Sequence, residues 1–351
     1  MTRAVITGCA LAVTGVADEY DLLGLGTAAA PEDDAARVEI GLRHKDRASR
    51  LALRATRRAL RGVTLPASGS VTGTAVIVSS NLGNLDTVCE FVDTIGKETV
   101  IGLSPMRVPH MSSNVTASWI ALDHGLRGPN ITLCSGTTSG LDAIFWATAL
   151  LAAGRAEAAV VVGVEPDTAP VARLHGGTTR LDGAVCLILE TPARARARGA
   201  RPRAEIHAYG RAADRAEAVH RATRTWRGPI GLRLAGGPGI GIAADAVDLP
   251  AGPGTGHAAS TVDLTARLGR CSGALGVLQC AAALAWLDRP GHDAVLAVAG
   301  DDGTGDRPDG EGDPSAVAAV LLTRPAENVP PRPAGDVTYG NGFGGDRHDG
   351  A

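Results

Sequence analysis

Residues 130–140 read NITLCSGTTSG and run directly into LDAIFWATALLAAGRAEAAVVVGVE, residues 141–165. A short β-branched run, a glycine-rich polar turn, a long apolar helix and a wholly apolar strand follow one another. A helix that is apolar around most of its circumference belongs between layers, and a strand without polar alternation is buried on both faces. The pattern recurs once. SGALGVLQCAAALAWLD from Ser272, the turn RPGHD and the strand AVLAVAGDD repeat the sequence of elements that starts at Ser139. Two buried helices with similar entrances predict pseudo-twofold halves, and aligning Ser139 with Ser272 sets Thr137 against Arg270.

Outward from this pair, apolar strand runs alternate with helical patterns: RAVITG, RASRLALRATRRAL, TAVIVSS, NLDTVCEFVDTI, DGAVCLILE and AEIHAYG. Such alternation predicts a layered α/β architecture. The basic connection TPARARARGARPR divides the chain near residue 202, giving expected halves 1–202 and 203–351. A chain of 351 residues can bury a large core. Its net charge of −3 and scattered arginines argue against a nucleic-acid or anionic-membrane partner. The six cysteines form no CxxC pair and sit mostly in apolar runs, as expected of a reduced, cytoplasmic protein without a metal site. ITGC at residues 6–9 has the form of a lipoprotein box, but only AVI separates it from Arg3, far short of a signal peptide's apolar stretch. No apolar run reaches the roughly 18 residues of a membrane span.

The chain resembles the β-ketoacyl synthases of fatty-acid and polyketide assembly. AVITG, DRASRLAL, SPMRVPHMSSN followed by GLRGPNITL, TSG with its helix, DGAVCLILE, GRCSGALG and the closing GNGFGG carry the likeness. It implies a thiolase-like fold, two βαβαβ-type halves in α/β/α/β/α layers. It also implies a cysteine nucleophile just before the first central helix, and an ungapped match places Thr137 there. The family's two histidines fall on Pro253 and Arg270, and the lysine that precedes the second on Thr265. His257 takes the first histidine's place only if the match slips by a few residues. The segments from VVVGVE to DGAVCLILE and from PGTG to GRCSG are shorter than the family's.

A threonine hydroxyl needs a base to become a nucleophile, proline has no proton chemistry, and arginine stays protonated. The degenerate triad therefore resembles that of the chain-length factor, the β-subunit of a type II polyketide synthase. The resemblance implies no catalytic residue, no cofactor, a heterodimer with a ketosynthase α-subunit, and contact with acyl carrier protein through that complex. It gives the chain a share in controlling polyketide length along a tunnel at the subunit seam. The rival reading is a stand-alone acyltransferase using Cys134, whose thiol stands near a helix N-terminus, or Thr137. The spacing of Leu85, Val88, Cys89 and Val92 favours a core-facing stripe. Family analogy makes that stripe a tunnel wall, with Met106, Arg107 and Val108 near the partner's pocket and Arg107 a candidate cap. His110 and His124 read as surface or satisfied core residues.

Overall fold

Apolar strands pair into one sheet, and the helices that cover it divide its residues among three cores. The computed structural model of the chain describes residues 4–26, 42, 45–65, 73–176, 178–236, 259–300 and 316–325. Pro253, His257 and GNGFGG lie outside the described residues. The first half contributes β1 (Val5–Val13), α1 (Arg47–Ala59), β2 (Thr74–Ser79), α2 (Leu85–Glu98), α3 (Val115–His124), β3 (Asn130–Leu133), α4 (Ser139–Ala152), β4 (Ala158–Glu165), α5 (Ala169–Leu174) and β5 (Gly183–Glu190). After α6 (Pro192–Ala197) come β6 (Ala204–Ala212), α7 (Arg215–Thr223), β7 (Leu232–Ala235), β8 (Ser260–Asp263), α8 (Thr265–Leu268), α9 (Leu275–Leu287), β9 (Ala294–Gly300) and β10 (Val317–Thr323).

The strands form a ten-stranded sheet in the order β3-β2-β4-β5-β1-β6-β10-β9-β7-β8. Read inward from its two ends, the sheet has the same plan twice. β2 runs parallel to β3 and β4, as β7 does to β8 and β9. The next pairings, β4–β5–β1 and β9–β10–β6, are antiparallel. The two sets meet where Val5 pairs with Glu205 and Ile6 with Ala204.

Strand alternation sorts residues between layers. Ala75, Ile77, Ala159, Val161, Val185 and Leu187 face α4 and α9 in the central core, while Val76, Val78, Val160, Val162, Cys186 and Ile188 face α1 and α3. A third core joins α7 to Leu296, Val298, Ala319 and Leu321. The layers are thus the expected α/β/α/β/α. α1 forms because Asp46 caps it, accepting Ser49 N at 2.7 Å, and because Ala48, Leu51, Ala52, Ala55 and Ala59 make one buried stripe.

Helix α9 is buried at every residue except Trp286. Its Gln279 reaches between strands, donating to Leu234 O at 3.1 Å and Val298 O at 2.9 Å. α4 departs from the expectation of all-round burial: Phe145 and Trp146 are exposed, and Phe145 stacks on Tyr209 of β6. An apolar helix circumference does not tell whether a neighbouring layer covers every side.

The central helices touch at Gly140 and Gly276. A Cβ on Gly140 would lie 2.6 Å from Gly276 N. This pairing, repeated in the 136-residue offset between β4 and β9 at Ala158 and Ala294, corrects the register read from sequence. Gly140, not Ser139, has its counterpart in the second helix at Gly276, so Thr137 corresponds to Gly273 rather than to Arg270. The shared Ser-Gly pair had shifted the alignment by three residues, close to one helical turn.

The basic connection is used internally. Arg198 and Arg194 both reach the carboxylate of Glu190, whose side chain is fully buried, with Arg198 Nη2 at 2.6 Å. Arg203 bridges Glu19 and Asp288, each at 2.5 Å.

Gly276→Ala is expected to destabilise the fold by about 1–3 kcal/mol or more in denaturant titrations, because the added methyl meets backbone that cannot yield. Gly96→Ala, in α2 with open space around its Cα, is expected to stabilise by about 0.5–1 kcal/mol.

Candidate functional site

The two helix entrances lie side by side and are joined by one asparagine and one glutamate. Each central helix is preceded by a short 3₁₀ turn, Gly136–Thr138 before α4 and Ser272–Ala274 before α9. Asn81, just after β2, donates through Nδ2 to Gly136 O at 2.9 Å and to Ser272 Oγ at 2.8 Å. Its Oδ1 accepts from Gly136 N at 3.1 Å and Ser139 Oγ at 3.2 Å. Glu165, the buried end of β4, accepts from Asn81 N at 2.7 Å, Leu82 N at 3.1 Å and Gly273 N at 3.0 Å. Ser79 Oγ donates to Gly273 O at 2.5 Å.

This network dictates local residue choice. A Cβ on Gly273 would stand 2.8 Å from Glu165 Oε1, so glycine is required where the first entrance has Thr137. Ser272 takes a positive φ of 40° to present its hydroxyl to Asn81. Next to Asn81, Asp142 of α4 collects Ser135 Oγ and Thr138 Oγ1 at 2.9 Å each and Tyr209 Oη at 2.6 Å. Burial and then the Asp142 carboxylate push the Tyr209 hydroxyl well above its ordinary pKa, so it is a fixed donor.

Thr137 sits in the first 3₁₀ turn, half-buried, at the mouth of α4. Among the described residues no histidine or carboxylate hydrogen-bonds its hydroxyl. Arg270 is half-buried on the approach to α9. Its backbone bridges Arg180, with Arg270 N donating to Thr179 O at 3.0 Å and its carbonyl accepting Leu181 N at 2.9 Å. The preceding Gly269 has φ +74° and leaves no room for a Cβ against Thr179.

Cys134 follows β3 rather than lying in it, and the residue is exposed, against the expectation of a buried strand cysteine. Strand alternation had been extended one residue too far. Partial burial of its sulfur, then the charge of Glu165, raises its thiol pKa. Burial pushes the Cys186 and Cys271 thiols up to about 12. Among the described residues no group of His, Cys, Asp and Glu is arranged to hold a metal ion.

The expected core stripe on α2 is also corrected. Thr87 and Phe91 are the buried residues of the helix, while Leu85, Val88 and Cys89 are half-buried and Val92 is 61% exposed. Beyond α2, Met106 is 85% and Val108 50% exposed in the 3₁₀ segment Pro105–Met111. Arg107 forms a bidentate ion pair with Glu90 on α2. The guanidinium is therefore turned back onto its own chain. His110 is buried, the satisfied core histidine of the two alternatives.

Residues 24–184 match the family described as beta-ketoacyl synthase, N-terminal domain. This part of the chain is of the β-ketoacyl synthase family. The 3-oxoacyl-[acyl-carrier-protein] synthase 2 of Vibrio harveyi is 29% identical over 164 residues, 40% of this chain and 40% of the relative. The same enzyme of Rhizobium meliloti (strain 1021) is 27% identical over 170 residues, again 40% of each. In sequence the chain thus covers about two fifths of these relatives' length. The β-ketoacyl synthase fold extends further. The ketosynthase assembly AntDE:AntF, a type II polyketide synthase acyl carrier protein with its hexaketide-bound ketosynthase, superposes with a TM-score of 0.70 at 15% identity, covering 92% of this chain and 99% of that one. The ishigamide ketosynthase/chain length factor gives 0.64 at 22% identity with the same coverage. Among the described residues no helix is long and apolar enough to cross a membrane.

Asn81 and Glu165 were not singled out in the sequence. The charge closing the apolar strand AAVVVGVE was the available signal, since a buried strand ends in a carboxylate only where donors await it. Asn81→Ala is expected to cost about 1–3 kcal/mol in denaturant titrations, because it leaves buried donors and acceptors unpaired. Cys134 is expected to react with iodoacetamide more slowly at pH 7 than free cysteine, its rate still rising above pH 9, since the raised pKa keeps the thiol protonated there.

Proposed function

We propose that this chain is the non-catalytic, chain-length-factor partner of a ketosynthase in a type II polyketide synthase. The observation that carries the reading is Thr137. It occupies the helix mouth where the family resemblance puts the nucleophile, with no acid–base residue on its hydroxyl among the described residues. The scaffold around that mouth is nevertheless complete, with Asn81, Glu165 and Ser272 holding both entrances in register. An intact frame around an inert residue suits a subunit that shapes a neighbour's site rather than one that forms an acyl-enzyme.

The surface supports a large partner. β3 is the last strand of the sheet and pairs on one side only, leaving an open edge, and α2 and the 3₁₀ segments after it present an apolar face. In this reading a ketosynthase subunit covers the edge and the face, and the acyl chain carried by acyl carrier protein runs along the seam. Cys134 as a nucleophile is disfavoured: its pKa is raised, whereas a reactive thiol has it lowered by a neighbouring cation or imidazolium.

Co-expression with the ketosynthase encoded beside it is expected to give a 1:1 complex that condenses malonyl units on acyl carrier protein, while the chain alone forms no product. Thr137→Ala and Cys134→Ala are expected to leave the activity of the complex unchanged. Condensation by the isolated chain that disappears in either variant would overturn the reading. Met106→Glu is expected to weaken the complex at least tenfold by sedimentation, since it buries a charge in an apolar contact.

A further inference from the structure

Residues 84–111 are weakly rooted in the body that carries them. Their buried side chains are Thr87 and Phe91 on α2 and His110 in the 3₁₀ segment. Yet seven of the twelve large exposed apolar residues found among the described residues fall here, with Ile101 88% and Met106 85% exposed. Links within the stretch are strong: Arg107 grips Glu90, and Asn84 Nδ2 donates to Met111 O at 2.6 Å. Thr99, between α2 and the first 3₁₀ turn, holds φ +60°, a strained value for a β-branched residue.

The root of the second segment is His110. Its ring centroid lies 5.7 Å from that of Trp119 on α3, and Nδ1 lies 3.8 Å from Asp46 Oδ2. Both neighbours are themselves fixed. Asp46 caps α1 and also accepts Ser49 Oγ at 2.7 Å, Ser49 Oγ meets Thr116 Oγ1 of α3 at 3.1 Å, and Lys45 Nζ stands 3.2 Å over the Trp119 ring. One side chain of Pro105–Met111 thus enters a rigid socket made by α1 and α3.

We propose that residues 84–111 form a semi-independent docking platform for the ketosynthase subunit, and that the insertion of His110 between Asp46 and Trp119 is the clasp that sets its affinity. The inference rests on the heterodimer reading and adds a positioning residue to it. A surface with few buried contacts opens locally at low free energy, so a partner must hold the platform in its docked form. His110 supplies part of that order in advance, which lowers the ordering cost of association. The occupant is a ketosynthase subunit because the apolar platform belongs to the same half of the sheet as the open edge of β3, where only a second large chain covers both. A second copy of this chain is the competing occupant.

Hydrogen–deuterium exchange on the purified chain tests the clasp without any partner. His110→Ala is expected to speed exchange at residues 104–114 at least tenfold while β2 and β4 stay protected, and His110→Gln, which keeps a donor, is expected to retain most of the protection. In the complex with the co-expressed ketosynthase, the platform is expected to become protected, and His110→Ala is expected to raise the dissociation constant about tenfold or more. Unchanged exchange in His110→Ala overturns the clasp whatever the complex does. Normal clasp behaviour in a chain that forms no complex, or only pairs with itself, overturns the docking role and the heterodimer reading instead.

Discussion

Backbone-to-backbone contact between Gly140 and Gly276 is the constraint on which the architecture turns. Two helices separated by ordinary side chains keep their axes about 8–10 Å apart, and a glycine pair lets them close further. That closeness brings the turn before α4 next to the turn before α9, near enough for the carboxamide of Asn81 to touch both. It also sets the spacing of the inner faces of both strand sets, since α4 and α9 fill the central layer. The pseudo-twofold symmetry of the sheet and the polar network at the helix mouths are thus two results of one contact.

The fold was legible because its signals are periodic. Fully apolar strands such as Ala158–Glu165 and Gly183–Glu190 need cover on both sides, and the amphipathic stripe of α1 states which side that helix offers. Register was not legible to the same degree. The serine-glycine pairs at Ser139 and Ser272 looked equivalent, but glycine contact rather than residue identity sets the match. Exposure was misread on α2 and α4, where apolar spacing points to burial whether the cover is another layer of the same chain or nothing within it. Phe145, Trp146 and Val92 belong to that second class.

At the candidate site, the sequence located the helix mouth but not what holds it. Thr137 stood out because a resemblance supplied the residue to be missed there. Asn81 and Glu165 are brought to the mouth from the ends of two different strands, a juxtaposition that only the parallel pairing of β2 with β4 creates. The arginines of the connection after β5 were readable as basic but not as internal. Their charge is absorbed by Glu190, Glu19 and Asp288, which explains why so much arginine yields no continuous cationic stripe.

The hydrogen bonds that hold the helix mouths all run through Asn81, Glu165, Ser139, Ser272 and the backbone of Gly136 and Gly273, and the side chain of Thr137 takes no part in them. Architecture and chemistry are therefore carried by separate residues at the same spot. A duplicated chain built this way is free to exchange its reactive side chain in a single mutational step while its shape persists. Selection acting afterwards sees only the shape. A divergent copy of such a gene keeps its place in an assembly long after it has ceased to react.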